Sequence, residues 1–201
     1  MIWGEIMQPF FQDSFTESSR IYLSLEDEIR EMIRFKNDNK VDKNEVLKSF
    51  DLLVQLVLLN LCALDDKVCV QELEFIKKLT VEEDILDYVN KVSTNKIEWE
   101  KISSTVLTNN QFNDFLDYVC NVSSSKINSF VMLLASIDAL TEKNYLYRFK
   151  QGFKELAMCF VSANNEKEYN YEIDNILNKA FVLKYKSLKT IFSLGKYEDI
   201  K

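Results

Sequence analysis

The stretch 43–79, KNEVLKSFDLLVQLVLLNLCALDDKVCVQELEFIKKL, contains the longest apolar run of the chain. Apolar residues recur in its first part at three- and four-residue spacing, the pattern of an amphipathic helix. These residues are Leu47, Phe50, Val54, Val57 and Leu61. After Leu52 the segment is apolar on nearly every side. The pattern therefore predicts a helix over about 43–64 that lies at the centre of the protein.

A second strongly apolar segment, INSFVMLLASIDAL at 127–140, mirrors the first and predicts a second central helix. Ser24 and Thr141 stand where the N-caps of two further helices are expected. The remaining periodic segments predict helices over about 25–36, 69–79, 82–92, 109–121, 142–162 and 168–194. The sequence therefore predicts an all-α fold, a compact helical bundle of about 7–9 helices.

The composition supports this fold class. Three glycines and one proline leave little turn chemistry for strands and hairpins, while 47% of the 201 residues are apolar and 28% are charged. No linker or low-complexity tract divides the chain. We expect a single domain over 1–201, with an N-terminal arm and helix (1–42), a core (43–162) and a C-terminal helical extension (163–201).

The residues that are missing exclude most common enzyme signatures. The chain has no histidine, which removes Ser-His-Asp and Cys-His catalysis and histidine-ligated zinc. Its three glycines, Gly4, Gly152 and Gly195, are isolated, so no glycine-rich phosphate loop can form. The sequence therefore favours a protein that is not an enzyme.

Charge and hydropathy restrict the partners. The net charge is −7, and a field of that sign repels nucleic acid and anionic lipid. The longest apolar run, 52–64, is shorter than the roughly 20 residues that span a bilayer, and the apolar segment 1–11 lacks the basic region of a signal peptide. The four cysteines form no CxxC pair, which favours a reducing compartment. We expect a cytoplasmic protein with protein partners and without membrane insertion or nucleic acid; its oligomeric state and the role of the arm 1–15 stay open.

A short pattern recurs at the turns between helices. Residues 38–45 (DNKVDKNE) and 65–72 (DDKVCVQE) agree at Asp, Lys, Val and Glu, and 138–144 (DALTEKN) is a looser relative. In the first copy, Asp42 and Glu45 have the spacing of a capping box, in which the Asp accepts from an N3 amide and the Glu from the cap amide. The pattern is therefore typical of helix-to-helix turns.

The second copy departs from this rule. Its cap position is Cys69, a poor acceptor, so we expect Glu72 to keep a favourable charge at the helix start while the reciprocal bond is lost. A sharper alternative is a cation site, because carboxylates at the end of one helix and the start of the next can converge on Ca²⁺ or Mg²⁺. The candidate ligands are Asp65, Asp66 and Glu72. The glycine and final glutamate of an EF-hand loop are missing, and acidic residues at helix starts are ordinary, so the structural turn is favoured over the cation site.

The segment LNLCALDDKVCVQELEFIKKL (59–79) resembles the TerB-like family, the tellurite-resistance and DnaJ-associated helical domains. That family has an apolar helix, then A-D-G-x-V-x-x-x-E, then an amphipathic helix. Asp65, Val68 and Glu72 match the signature, and Asp66 stands in place of its glycine.

A second unit, 132–160, is similar in layout. Asp138 matches the motif Asp, whereas Ala139 replaces the glycine and Tyr145 the glutamate. The resemblance implies a compact bundle of two pseudo-symmetric helix-turn-helix units, divalent-metal binding, and a place in stress, membrane-linked or phage-defence assemblies.

These features favour a non-catalytic, acidic helical interaction or scaffold protein of the bacterial stress-response or defence type, with a divalent cation as an optional ligand. The exposed-looking aromatics of YLYRF (145–149) and YNY (169–171) add to this interpretation, although such residues more often pack in a core. The alternative is a metal-dependent, phosphohydrolase-like enzyme that uses carboxylates on a helical bundle. Metal-dependent turnover that Asp65→Asn abolishes would favour this alternative.

Overall fold

A computed structural model describes residues 9–36, 42–62, 64, 67–80, 105–108, 111, 114, 129–163, 171–178, 180 and 181. The described part is predominantly helical, so the predicted all-α class is confirmed. The helices are α1 (Pro9–Lys36), α2 (Lys43–Cys62), α3 (Val70–Leu79), α4 (129–141), α5 (Tyr145–Ala163) and α6 (171–178). Two short strands are β1 (Lys67–Cys69) and β2 (Thr105–Thr108). The predicted helices at 82–92 and most of 109–121 lie outside the described residues.

Helix α1 is much longer than predicted, because it begins at Pro9 and not near residue 25. The expected arm is therefore helical from Pro9 onward, and Ser24 lies inside the helix as an exposed residue, not as an N-cap. Serine and threonine have weak intrinsic helix propensity, which makes residues 14–19 look like a loop in the sequence. Tertiary packing decides otherwise, since Ile21 and Leu25 are buried and Phe15 packs edge-on against Phe75 at a ring-centroid distance of 5.2 Å.

Helix α2 confirms the predicted central helix. Every residue from Ser49 to Gln55 is buried, as expected for a segment that is apolar nearly all round. Asp42 caps its start, since its Oδ1 accepts from the Asn44 N–H at 2.9 Å and its backbone oxygen accepts the first helical bond, from Val46, at 3.1 Å. The side chain of Asp42 thus bonds the second helical amide and not the predicted third one, that of Glu45.

Strands β1 and β2, which the sequence did not predict, form a small antiparallel pair. Lys67 lies opposite Thr108 and Val68 opposite Leu107, and the register shifts between Val68 and Cys69. The strands have three and four residues, too few for a periodic pattern to be visible in the sequence. They place Cys69 at the start of α3, which runs over Val70–Leu79 as predicted.

The core is rich in phenylalanine, and Phe50 of α2 lies in its middle. The rings of Phe130, Phe149 and Phe153 lie 5.8–6.3 Å from that of Phe50, in tilted or edge-on geometry. Phe130 belongs to α4 and the other two to α5, so one ring joins three helices. Helix α5 packs chiefly on α1, where Gly152 faces Leu25.

Helix α4 confirms the second predicted apolar helix, and its end corrects another prediction. Thr141 is the last residue of α4, and its hydroxyl donates to the Ile137 carbonyl at 2.8 Å. It is therefore not the N-cap of the next helix, which begins at Tyr145. The reason is that Glu142 and Asn144 adopt positive φ, 56° and 55°, so the chain leaves helical geometry after Thr141.

Candidate functional site

The predicted cation site is described at one of its three residues. Glu72 lies in the first turn of α3 with 6% of its surface exposed. Its Oε2 accepts from the Cys69 N–H at 2.8 Å, so this carboxylate holds the start of the helix. The sequence predicted that the reciprocal bond of the capping box is lost at Cys69. That prediction is wrong, because the Glu72 carboxylate bonds the backbone N–H of Cys69 and does not need its thiol.

The other two predicted ligands, Asp65 and Asp66, lie outside the described residues. Within the part of the chain that the structure describes, no group of three or more Cys, Asp or Glu side chains is arranged to hold a metal ion. Glu72 is therefore seen in its structural role, and the cation site stays a prediction.

Cys69 combines partial burial with a carboxylate neighbour. Burial, reinforced by the negative charge of Glu72, raises the pKa of the Cys69 thiol to about 12. The thiol is therefore protonated at neutral pH, and a protonated thiol is a poor nucleophile. Cys69 acts here as part of a helix start.

The turn between α4 and α5 shows how the looser copy of the motif works. Asp138, at the end of α4, accepts from two backbone N–H groups at the start of α5, those of Tyr145 and Leu146, the latter at 2.8 Å. A single carboxylate thus satisfies two of the four amides that a helix start leaves unpaired. The motif Asp caps the helix in this turn, where the sequence predicted Thr141 as the cap.

A cleft of about 460 Å³ between α1 and the start of α2 contains a polar pair that sequence reasoning missed. The Tyr22 hydroxyl donates to Oδ1 of Asp51, and both residues are 4% exposed. Burial and the bond to Asp51 raise the pKa of the Tyr22 phenol far above its ordinary value. The available signal was Asp51 itself, a charged residue inside an apolar run, since buried carboxylates need partners.

The outward side of α5 carries exposed large side chains. Other sides of the helix face the core, with Phe149 and Phe153, and helix α1, with Gly152. An α-helix turns by about 100° per residue, so the side chains of four residues that are not buried project within about 60° of one another around the axis of α5. This outer face of α5 consists of Tyr147, Gln151, Met158 and Ser162. Tyr147 is 65% exposed and Met158 44% exposed.

Helix α6 runs antiparallel beside this face. Lys154 donates to Asp174 at 2.8 Å, and Lys150 donates to Asn178 at 2.7 Å. From the first pair to the second, the residue number falls by four in α5 and rises by four in α6, so the two helices are antiparallel. Tyr171, which is 78% exposed, therefore lies at the level of residues 157 and 158, near the Met158 end of the outer face.

The predicted exposed aromatics are thus divided. Tyr147 and Tyr171 are exposed, whereas Tyr145 and Phe149 are buried. Residues 169 and 170 lie outside the described part. The 3.6-residue period explains the division at 145–149, since Tyr145 and Phe149 share the core side of the helix and Tyr147 lies away from it.

Comparison with protein-family models, curated proteins and solved structures finds no match to this chain. Among the described residues, no helix combines the length and the apolar character that a membrane span needs.

Proposed function

We propose that this protein is a non-catalytic helical interaction module, with an architecture of the TerB-like type and a role in a bacterial stress-response or defence assembly. The supporting observation is the outer face of α5 together with Tyr171. Tyr147 and Tyr171 expose 65% and 78% of their surface. Tyrosine is enriched in protein interfaces, because its ring offers apolar area and its hydroxyl a hydrogen bond at low entropic cost.

The pseudo-symmetry of the bundle is part of this proposal. The two units would be α2 with α3, and α4 with α5. In both, a side-chain carboxylate holds backbone amides at the start of the second helix, Glu72 in the first unit and Asp138 in the second.

Co-purification from the native host tests the interaction function. The wild-type chain is compared with the triple variant Tyr147→Ser, Met158→Ser, Tyr171→Ser and with the control Leu23→Ser. Leu23 is 55% exposed and lies on α1, away from the outer face. We expect the same partner proteins with wild type and control, and their loss from the triple variant. Identical sets of proteins from all three chains would contradict the proposal.

A divalent cation at the α2–α3 turn belongs to the same proposal as an optional ligand. Calorimetric titration of Ca²⁺ and Mg²⁺ into wild type, Asp65→Asn and Glu72→Gln tests it. Binding heat that both substitutions remove would support the site, since hard cations require the oxygen charge that these changes delete. Equal, negligible heats in the three proteins would leave this turn with the capping role alone.

A further inference from the structure

The exposed residues of α5 and α6 are arranged in two groups. Tyr147 lies near one end of α5, and Met158 lies three turns away, at the level that the two pairs between α5 and α6 assign to Tyr171. At 1.5 Å per residue, the two groups are about 16 Å apart along the helix. The same kind of surface thus occurs at both ends of one straight face.

We propose that a second copy of this chain binds this face, with the two α5 helices antiparallel about a two-fold axis. The inference rests on the proposed interaction function and names its partner. A two-fold axis midway between Tyr147 and Met158 places the Tyr147 level of one copy opposite the Met158 level of the other. The Tyr147 ring of one copy then meets Met158 and Tyr171 of the other, and the reverse contact forms at the opposite end, as a two-fold interface requires. Contacts between a methionine sulfur and an aromatic ring are favourable.

The charges beside the face are complementary under the same operation. Arg148 and Glu155 lie on the flank of α5 that faces α1, and a two-fold axis brings these flanks together. Arg148 of one copy and Glu155 of the other would then be offset by about 3 Å along the helix. Arg148 already pairs with Glu28 in its own chain, and a guanidinium has enough donors to serve two carboxylates.

The available area predicts a weak dimer. An aromatic side chain offers about 150–250 Å², so the exposed parts of Tyr147 and Tyr171 supply roughly 200–350 Å² per copy. A standard interface buries about 800 Å² per partner, and the polar flanks and α6 must supply the remainder. We therefore expect a dimer that forms with increasing concentration and not a permanent one.

Cysteine cross-linking of the purified full chain tests the geometry. Gln151 lies close to the proposed axis, so a Gln151→Cys variant should form a disulfide-linked dimer of two 23.6 kDa chains on oxidation. The matched control is Ser162→Cys on the same face, whose two copies would lie about 28 Å apart along the helices. The wild-type chain controls for its native cysteines. Cross-linking that is equal in all three proteins, or absent from Gln151→Cys, would overturn the two-fold arrangement.

Sedimentation equilibrium measures the dimer without a cross-link. We expect Tyr147→Ser to raise the dimer dissociation constant at least tenfold and Leu23→Ser to leave it within twofold. A wild-type chain that stays monomeric at all concentrations would refute the self-pairing, while the loss of host partners by the triple variant would still uphold the interaction function. A dimer in purified protein whose triple variant keeps all host partners would refute the function and uphold the pairing.

Discussion

At the start of α3, one carboxylate compensates for a weak cap. Cys69 occupies the N-cap with extended backbone, and Glu72 accepts its N–H at 2.8 Å. A buried N–H without an acceptor costs about 1–3 kcal/mol. The stability of this turn therefore depends on Glu72, the side chain three residues further on.

This dependence predicts that Glu72→Ala lowers the free energy of unfolding by about 1–2 kcal/mol. Glu72→Gln keeps an oxygen acceptor and should lose less. The matched control is Glu74→Ala in the same helix, where a 3.7 Å surface pair with Lys78 is lost and the expected cost is below about 0.5 kcal/mol. Urea denaturation of the four proteins measures these differences. Equal losses in the two alanine variants would contradict the capping role.

Glu28 gives a prediction on pH. Burial raises the pKa of this carboxyl, and the nearby Arg148 charge opposes the shift without cancelling it. The folded state therefore holds the proton more tightly than the unfolded state. The stability that this group contributes is fully present below its unfolded pKa, about 4.3, and is lost as the pH rises through the higher folded value.

Glu28→Gln removes this titration, so we expect the variant to gain stability relative to wild type as the pH increases from about 4 to 7. The gain should stay below about 1 kcal/mol, because the pair is partly solvated. Urea denaturation at several pH values measures it. Parallel pH curves for the two proteins would show that Glu28 has the same pKa in both states.

The contact between α1 and α5 depends on a glycine in the middle of a helix. A Cβ on Gly152 would lie 2.6 Å from Cδ2 of Leu25 and 3.1 Å from Cδ1. Leu25 is 5% exposed, so its side chain has little room to move. Helix propensity alone favours alanine over glycine by about 1 kcal/mol, whereas overpacking a core costs about 1–3 kcal/mol.

Gly152→Ala should therefore destabilise the protein by roughly 1 kcal/mol in net terms. In a Leu25→Ala background the clash is absent, and the same substitution should become stabilising by up to about 1 kcal/mol. Thermal or urea denaturation of the four proteins completes the cycle. A loss of the same size in both backgrounds would exclude a steric origin.

The elements also show what a sequence can reveal in this protein. The apolar helices α2 and α4 follow from periodicity, because their burial on several sides is written into consecutive apolar residues. The first half of α1 does not follow from periodicity. Its serines and threonines have weak helix propensity, so this part of the helix depends on packing against α3 and α5. Strands β1 and β2 pair residues nearly forty positions apart, and no local pattern encodes that pairing.

The candidate sites divide in the same way. The sequence predicted that Glu72 lies in the first turn of a helix, but it also predicted the loss of the bond to the Cys69 N–H that the structure shows. The Tyr22–Asp51 pair was not predicted, since its partners lie on different helices. The outer face of α5 was predicted only in part. The sequence singled out its aromatic residues, but the rotation of each residue around the helix axis decides which of them point outward.

The aromatic rings raise the question of how many cooperative units the bundle contains. One ring cluster is centred on Phe50 and includes rings from α1, α4 and α5. A second joins Phe75 of α3 to Phe15 and Phe160, at centroid distances of 5.2 and 5.0 Å. Helices α1 and α5 contribute to both clusters, so loosening one cluster should loosen the other.

We therefore expect Phe50→Ala to lower the free energy of unfolding by about 3–5 kcal/mol and to do so across the whole bundle. Native-state hydrogen exchange should show the same loss of protection for slow amides near Phe50 and for those around Phe75 in α3, since both open only in the global transition. Leu23→Ala, at an exposed site on α1, is the control and should change both by less than about 0.5 kcal/mol. If α3 kept its protection in Phe50→Ala, the two ring clusters would unfold separately. Helices α1 and α5 would then connect two units that unfold independently, and would not belong to a single cooperative unit.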